Sequence, residues 1–293
     1  MKATVYFTKE ITPESLIRIF DALNKELRGK VGVKISTGEM GGHNYLKPEL
    51  IKPLVDKLNG TIVECCTAYG GSRQDVKKHW DTIKAHGFSP AMPVDIMDEF
   101  GEFDIPVHHG YHLDRDIVGE HLKDYDSLLI LSHFKGHMMG GFGGALKNVA
   151  IGIASTKGKC LIHSAGRTTT PRNTWNSLPP QDHFLESMAD ACDAVIGYVG
   201  AKNMAYINVA NRLSVDCDCD SHPAEPKMGD IGIFASLDPV AIDQACYDAV
   251  HNSDDPGKGD LIERMESRHG IHTVEVAAAH GLGTREYEIV NLD

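Results

Sequence analysis

The sequence predicts an α/β protein in which a mostly parallel sheet is flanked by helices. Residues 2–8, 31–36 and 61–66 are strand-like runs, and each is followed by a loop and a helix-like segment. A further short apolar run, residues 127–131, has the character of a buried parallel strand. Repeated strand–loop–helix units imply parallel strands covered by helices. No linker or repeat interrupts the sequence, so we expect one domain of residues 1–293, large enough to comprise two lobes.

Local signals define the elements in order. The predicted strands are residues 2–8, 31–36, 61–66, 127–131, 159–163, 205–213, 229–236 and 287–290. The predicted helices are residues 13–27, 47–58, 74–85, 114–123, 145–154, 181–196, 260–269 and 273–279, with another starting at residue 238. Thr12 and Asp238 are typical N-caps, because each precedes a proline at the first helical position.

Two less regular segments are expected at the surface. Residues 91–113 contain prolines and short strand-like runs, which predict an edge hairpin. His108, His109 and His112 fall there and are interpreted as surface histidines of that hairpin rather than as ligands. Residues 167–180 form a long polar loop, and loops of that length in compact domains usually serve function or are mobile.

Charge and composition exclude several classes of protein. The 29 basic and 41 acidic residues give a formal charge of −12, which argues against nucleic acid as the main partner. No apolar run approaches the ~20 residues that cross a bilayer, so we expect no membrane partner and a cytoplasmic location. With seven cysteines in a chain of this size, we expect most of them to be reduced thiols.

The densest chemistry follows the strand 127–131. His133 is placed at the end of that strand, and a glycine-rich turn then leads into the helix 145–154. Such a turn lets a backbone approach a ligand beyond the carboxyl ends of the strands, although glycines also serve turns and close helix packing. The predicted cofactor-binding residues are Gly140, Gly141, Gly143, Gly144 and Asn148.

Histidine and basic side chains extend this candidate site. His133 and His137 would share a face if the turn between them were helical, and two imidazoles on one face can bind a metal; Gly136 weighs against that helix. Loops after successive strands should meet at one sheet edge. The basic residues predicted to act on an anionic substrate there are Lys135, Lys147 and Arg73.

A second signal is the C-x-C-x-x-H pattern of Cys217, Cys219 and His222, which lies among aspartates. Nearby carboxylates disfavour a thiolate nucleophile, whereas a bound cation is attracted by them and deprotonates the thiols. The pattern therefore predicts a soft-metal site; the alternative is a polar loop with two buried cysteines. The predicted metal ligands are Cys217, Cys219, His133, His137 and His222.

Several motifs together resemble the domain-of-unknown-function family 362. They are residues 133–137 (HFKGH), 141–148 (GFGGALKN), 216–219 (DCDC), 230–233 (DIGI) and 238–243 (DPVAID). The resemblance implies a protein of the kind often described as an uncharacterised iron–sulfur centre protein, many of which carry a ferredoxin-like insert. This chain lacks that insert, since only Cys160 and Cys192 fall between positions 159 and 216. The expected cofactor is thus zinc, iron or nickel as a metal ion, not a ferredoxin-type cluster.

Three functional hypotheses follow. The first is a metal-dependent enzyme, with redox or Lewis-acid chemistry, that acts on a small anionic molecule in the glycine-rich pocket. The second is a metal-binding or metal-delivery protein without turnover, and a purely structural zinc is a third possibility. A shorter similarity, Gly143-Gly144-x-x-Lys147, is to lactate-racemase-like proteins and would imply a nickel-pincer nucleotide held by Lys147. The sequence does not indicate the oligomeric state.

Overall fold

A computed structural model describes residues 2–293, and these residues form twelve strands and ten α-helices. The strands are β1 (Ala3–Thr8), β2 (Val31–Lys34), β3 (Thr61–Glu64), β4 (Val94–Ile96), β5 (Glu102–Pro106), β6 (Arg115–Gly119), β7 (Ser127–His133), β8 (Lys135–His137), β9 (Gly141–Gly143), β10 (Met204–Ala210), β11 (Gly232–Ser236) and β12 (Tyr287–Asn291). The helices are α1 (Pro13–Ala22), α2 (Pro48–Lys57), α3 (Val76–Ala85), α4 (Ala145–Ile153), α5 (Thr156–His163), α6 (Pro171–Asn176), α7 (Gln181–Val199), α8 (Pro239–Asn252), α9 (Gly259–Ser267) and α10 (His272–Ala279).

Eight of the strands form one sheet in the order β12-β1-β11-β10-β7-β2-β3-β4. All neighbouring pairs are parallel except those of β11, which runs antiparallel to both β1 and β10. Two small antiparallel pairs, β5 with β6 and β8 with β9, lie outside this sheet. The predicted fold class, a mostly parallel sheet flanked by helices, is therefore confirmed.

The sheet is buried on both faces because alternate side chains of its strands enter two hydrophobic cores. Along β7, Leu128 and Ile130 pack into one core, whereas Leu129 and Leu131 pack into the other. The first core includes apolar residues of α4, α5, α7, α8, α9 and α10, and the second includes those of α1, α2 and α3. This arrangement explains why the central strands are continuous apolar runs.

Both predicted N-caps are present. Thr12 accepts a hydrogen bond from the Ser15 amide at 3.1 Å and forms a capping box at α1. Asp238 accepts from the amides of Val240 and Ala241 at 2.9 and 2.8 Å at α8. A cap of this kind typically contributes about 1 kcal/mol.

Several predicted elements differ from the structure. Residues 114–123 form β6 and a short 3-10 helix, because Ile117 and Val118 pair with β5 in a hairpin over 102–119. Residues 159–163 are the end of helix α5 rather than a strand, since Ser155 caps that helix and uniform burial hides its periodicity. The polar loop 167–180 contains helix α6.

The first helix is also shorter than predicted, because Asn24 adopts the left-handed backbone conformation just after α1 ends. No helix within residues 2–293 is long and apolar enough to cross a membrane.

Candidate functional site

A cavity of about 360 Å³ lies beyond the carboxyl ends of β2, β3 and β7, where ligands of open α/β sheets are found. Its wall is completed by α4, α5, α6, the hairpin β8–β9 and the loop after β10. The lining residues used below are Lys34, Glu64, Arg73, His133, Lys135, His137, Gly143, Gly144, Lys147, Asn148, Lys159, His163, Trp175, Cys217, Asp218 and Cys219. The glycine-rich turn, the cysteine loop and Arg73, which are distant in sequence, are thus brought together.

The cavity wall has an excess of positive charge. Its basic side chains are Lys34, Arg73, Lys135, Lys147 and Lys159, whereas its carboxylates are Glu64 and Asp218. The whole chain has a formal charge of −12, so the cationic wall is a local feature. A concave surface with one sign of charge raises the local concentration of ligands of opposite sign.

Lys147 is the least compensated of these cations. Within residues 2–293, the ammonium of Lys147 has neither a carboxylate oxygen within 4.0 Å nor a hydrogen-bond acceptor. Lys34 and Lys159 also have no carboxylate within 4.0 Å, but each donates to a backbone carbonyl. Lys135 Nζ lies 2.9 Å from Asp218 Oδ2. Burial and the neighbouring charge of Lys135 lower the pKa of Lys147 to about 7. Lys34 is also buried, and burial lowers its pKa to about 8; its Nζ donates to Asn148 Oδ1 at 3.2 Å. The attraction of an anion in the cavity would offset the free-energy cost of desolvating both ammonium groups.

Arg73 lies in the wall but its charge is already balanced. Its guanidinium contacts Glu64 at 3.1 Å and Glu39 at 3.4 Å, and it donates to Tyr69 Oη at 3.1 Å. His79 Nε2 also lies 2.8 Å from Glu64. Although burial opposes it, this environment holds the pKa of Glu64 well below its usual range. Arg73 therefore stabilises the loop after β3, and its charge is not available to bind an anionic ligand.

His133 is buried in an ion network and is not placed as a metal ligand. Its Nδ1 lies 2.8 Å from Asp218 Oδ1, and its Nε2 lies 2.7 Å from the Asn211 carbonyl oxygen. Both ring nitrogens are thus engaged by acceptor atoms of the protein. Despite burial, His133 and Lys135 hold the pKa of Asp218 well below its usual range. His133 is not in the group of ligand atoms that His137 forms with the two cysteines, so its predicted role in metal binding is not supported by this geometry.

His137 is brought to the two cysteines by the β8–β9 hairpin rather than by a helical turn, so the helical face shared with His133 is not present. His137, Cys217 and Cys219 place their ligand atoms within 4.8 Å of one another. His137 Nε2 is 3.9 Å from Cys219 Sγ. Burial and Lys147 lower the pKa of His137 well below its usual value, so the ring is neutral.

The state of these three residues limits how they can hold a metal. Cys217 and Cys219 are joined by a disulfide in this structure, and a metal would require their reduction to thiolates. His137 Nδ1 accepts hydrogen bonds from the amides of Met139 and Gly140 at 3.2 and 2.9 Å. The proton of the neutral ring is therefore on Nε2. For Nε2 to bind a metal as neutral imidazole, this proton must move to Nδ1, and the two amide hydrogen bonds to Nδ1 must break. After reduction, two sulfurs and one nitrogen form a donor set suited to a soft or borderline metal.

The cysteine pair separates the cationic cavity from a second hollow of about 370 Å³. Cys217 and Cys219 line both hollows, and the second one also contains Glu39, Asp216 and Asp220. Glu39 pairs with Arg73 and Asp216 pairs with Arg264, so the free negative charge of this hollow within residues 2–293 is that of Asp220. That charge favours a cation, whereas the basic cavity attracts anions.

The glycine-rich turn contributes to the cavity only in part. Gly143, Gly144 and Asn148 line it, but Gly140 and Gly141 do not. Gly141 has φ +77°, and a Cβ there would lie 2.8 Å from Gly270 Cα, so it serves backbone packing. The prediction that Gly140 and Gly141 bind a cofactor is therefore not supported by their positions.

Asp243 occupies the N-terminus of α4. Its carboxylate accepts from the amides of Ala145 at 2.7 Å and Leu146 at 2.9 Å, and from Asn208 Nδ2 at 2.7 Å. Burial raises the pKa of Asp243 to about 6. Because these donors are satisfied by the protein, the helix N-terminus is not free to bind an anionic ligand.

Gly144→Ala should destabilise the chain by about 2 to 4 kcal/mol, since a Cβ at this position would collide with the Asp243 carboxylate that caps α4. Gly259→Ala is the matched control, because a Cβ there meets nothing within 4 Å. Urea unfolding of both variants measures the difference. Equal stabilities of the two variants would contradict this role of Asp243.

The predicted metal ligand His222 lies outside the cavity wall. It is exposed, and its Nδ1 is 2.9 Å from Ser221 Oγ. His222 is not in the group of ligand atoms formed by His137, Cys217 and Cys219, so its position does not support the prediction.

Several site residues were missed by sequence reasoning. Lys34 and Glu64 end the apolar strands β2 and β3, and a charged residue at the end of a buried strand is a usable signal. Lys159 and His163 were hidden by the mistaken strand over 159–163. His163 Nδ1 donates to the Lys159 carbonyl at 2.7 Å, and burial lowers the pKa of His163 to about 4. Its Nε2 thus keeps a lone pair facing the cavity wall.

A family model described as "Domain of unknown function (DUF362)" matches residues 31–248, which include the glycine-rich turn, the cysteine loop and Asp243. The chain belongs to the DUF362 family. This confirms the resemblance noted from the motifs. No curated protein matches this DUF362 chain.

Two solved structures share a general likeness with the DUF362 chain. The lactate racemase apoprotein from Thermoanaerobacterium thermosaccharolyticum aligns with 14% identity and a TM-score of 0.41, over 70% of this chain and 50% of that one. A Thermotoga maritima protein aligns with 12% identity and a TM-score of 0.44, over 91% of this chain and 58% of that one. The DUF362 chain thus spans about half the length of the solved structures it matches.

Proposed function

We propose that this chain is a metal-dependent enzyme that acts on a small anionic molecule in the cationic cavity. The observation that carries the proposal is the half-buried Lys147 ammonium, which has neither a carboxylate partner within 4.0 Å nor a hydrogen-bond acceptor among residues 2–293 and lines a cavity with four further basic side chains. An uncompensated buried cation is costly unless a ligand balances it. A small anion supplies that balance.

The cavity has the dimensions of a small-molecule site. Its volume of about 360 Å³ falls at the lower end of the range of roughly 300 to 1,000 Å³ typical of ligand pockets. Apolar and aromatic groups such as Trp175 complete the wall, and Trp175 Nε1 donates to the Ala68 carbonyl at 2.8 Å, which fixes α6 over the site. These features favour a ligand of a few carbon atoms with one or two negative charges.

The metal would be held by reduced Cys217 and Cys219 with His137. The acidic hollow behind the cysteine pair supports this assignment, because it offers a cation an approach from the side opposite the anion cavity. Zinc, iron or nickel suits sulfur and imidazole donors, and such an ion would supply Lewis-acid or redox chemistry. A cytoplasmic location, where thiols stay reduced, fits this requirement.

The alternative is a metal-binding or metal-delivery protein without catalysis. A carrier would be expected to hold its metal on an exposed face for transfer. Here the three candidate ligands line a concave cavity of small-molecule size beside Gly143 and Gly144, which supports the enzyme. A purely structural zinc would have four protein ligands, whereas the group around Cys217 comprises three.

Binding of oxalate and of inorganic phosphate, measured by isothermal titration calorimetry at low ionic strength, tests the anion site. Wild type should bind at least one of them saturably and more weakly as salt is added. Lys147→Met should weaken binding about tenfold or more, since it removes the uncompensated charge. Lys202→Met is the matched control, because Lys202 is exposed and outside the cavity wall. Equal losses in both variants, or no saturable binding by wild type, would contradict the proposal.

A further inference from the structure

We propose a second metal site, separate from the cavity, formed at the surface by His112, His183 and Glu186 with His272 beside them. It would take a divalent first-row transition metal, with Zn²⁺ as the representative ion. Neither the cysteine pair nor any cavity residue takes part. The inference therefore does not depend on the proposed function.

The geometry of the cluster carries the inference. His112, His183 and Glu186 place their ligand atoms within 4.8 Å of one another. His112 Nε2 is 2.5 Å from Glu186 Oε2, and His272 Nε2 is 3.1 Å from Glu186 Oε1. The rings of His112 and His183 are 4.5 Å apart. Three imidazoles thus surround a single carboxylate.

Three separate elements hold these side chains. His183 and Glu186 are three residues apart on α7 and therefore share a face of that helix. His272 is the first residue of α10, which packs on α7. His112 lies in the loop between β5 and β6.

The loop of His112 is fixed by a buried carboxylate. Asp190 of α7 accepts hydrogen bonds from the amides of Tyr111, His112 and Leu113, at distances between 2.8 and 3.0 Å. His280 Nε2 also lies 2.8 Å from Asp190. Since Asp190 is fully buried, the loop cannot shift easily, and His112 is presented to α7 in a defined position.

The donor set suits zinc. Imidazole nitrogens and a carboxylate oxygen bind Zn²⁺ at about 2.0 to 2.2 Å, and three protein ligands with one open position is a common zinc arrangement. The side chains of His112, Glu186 and His272 are 20%, 19% and 20% exposed, and His183 is exposed, so an ion can enter from solvent. Zn²⁺ binds neutral imidazole, so His112 and His272 would each ligate through the Nε2 atom that now faces Glu186 and keep their one ring proton on Nδ1.

An ordinary surface pair of histidine and carboxylate occurs elsewhere in the chain and gives a comparison. His251 Nε2 is 3.2 Å from Glu266, with no further histidine in its ligand group. The cluster on α7 differs because His183 adds an imidazole ring with no hydrogen-bond partner within residues 2–293.

A metal bound at this cluster would link α7, α10 and the β5–β6 loop. Because it binds only the folded chain, it would stabilise that chain.

The test uses the full chain with Cys217→Ser and Cys219→Ser, so that the cavity ligands do not contribute. Zn²⁺ titration by calorimetry and Co²⁺ titration by visible absorption should each show saturable binding. His183→Ala and Glu186→Gln should each weaken binding about tenfold or more, and both positions are accessible enough for the fold to survive.

His251→Ala is the matched control and should bind as the parent does. Zinc should also raise the thermal midpoint of the parent more than that of the His183→Ala variant. Three results would overturn the inference: no saturable binding, equal weakening by His251→Ala, or loss of binding in His269→Ala while His183→Ala binds normally. The last would assign the ion to the neighbouring group of His269, His272 and Glu275. None of these outcomes bears on the cavity.

Discussion

Replacing Lys147 by methionine should make the oxidised, metal-free chain more stable at pH 7, by about 2 to 4 kcal/mol. Methionine has a similar length and needs no counter-charge. The buried ammonium, in contrast, has its pKa lowered to about 7 by burial and by Lys135. The lower part of the range allows for the partial exposure of this residue.

The pH dependence of this effect has a defined sign. In the unfolded chain an ordinary lysine keeps its proton up to about pH 10.4. Between pH 7 and that value the unfolded state binds more protons at Lys147 than the folded state does, so wild-type stability rises with pH. The advantage of Lys147→Met should therefore be greatest below pH 7 and disappear as pH approaches 10.4.

Urea unfolding at several pH values measures both predictions, with Lys202→Met as the control. That variant removes the same charge from an exposed position and should change stability by less than about 0.5 kcal/mol at every pH. A destabilised Lys147→Met chain, or a difference that does not vary with pH, would show that the ammonium is compensated in the folded state.

Much of the sheet could be predicted from sequence because its strands are short apolar runs between turns. The run at 127–131 marked β7, and the cap at Asp238 marked α8. The helix over 159–163 could not be recognised, because residues Cys160, Leu161 and Ile162 are all buried and show no helical period. The order of the strands in the sheet could not be predicted from the sequence either, since it depends on pairing between segments that are distant in the chain.

The candidate site was predictable in its residue types but not in its pairings. Lys135, Lys147 and the cysteine pair stood out because polar and glycine-rich loops follow the central strands. Their roles depend on partners far away in the chain, such as Asp218, which satisfies His133 across 85 positions. The sequence left open whether a helical turn joins His133 and His137, with Gly136 against it; in the structure β7 ends at His133 and β8 ends at His137.

The second large effect is expected for metal binding. Reduction of the Cys217–Cys219 disulfide by an added dithiol supplies two thiols, and a soft metal then displaces their two protons. His137 would bind through Nε2 once its ring proton has moved to Nδ1. Anaerobically purified, reduced chain should therefore contain stoichiometric zinc, iron or nickel. The oxidised chain should contain none at this site, because sulfurs bonded to each other are not thiolate ligands.

The corresponding variants separate this centre from other histidines. Cys217→Ser with Cys219→Ser should remove the metal, because two of its three ligands are lost. His222→Ala is the matched control from the same loop and should keep it, since His222 is exposed and outside the cavity wall. All variants are made in a His183→Ala background, so that the surface cluster on α7 does not contribute.

Elemental analysis of the reduced His183→Ala chain, with and without the two cysteines, tests most directly whether a soft metal is held in the wall of the anion cavity. We expect stoichiometric metal in the parent and in His222→Ala, and its loss from the double serine variant, which should still be folded and unfold cooperatively at a temperature lowered by no more than the lost metal accounts for. A metal-free reduced parent, or full metal retention without the cysteines, would contradict this assignment.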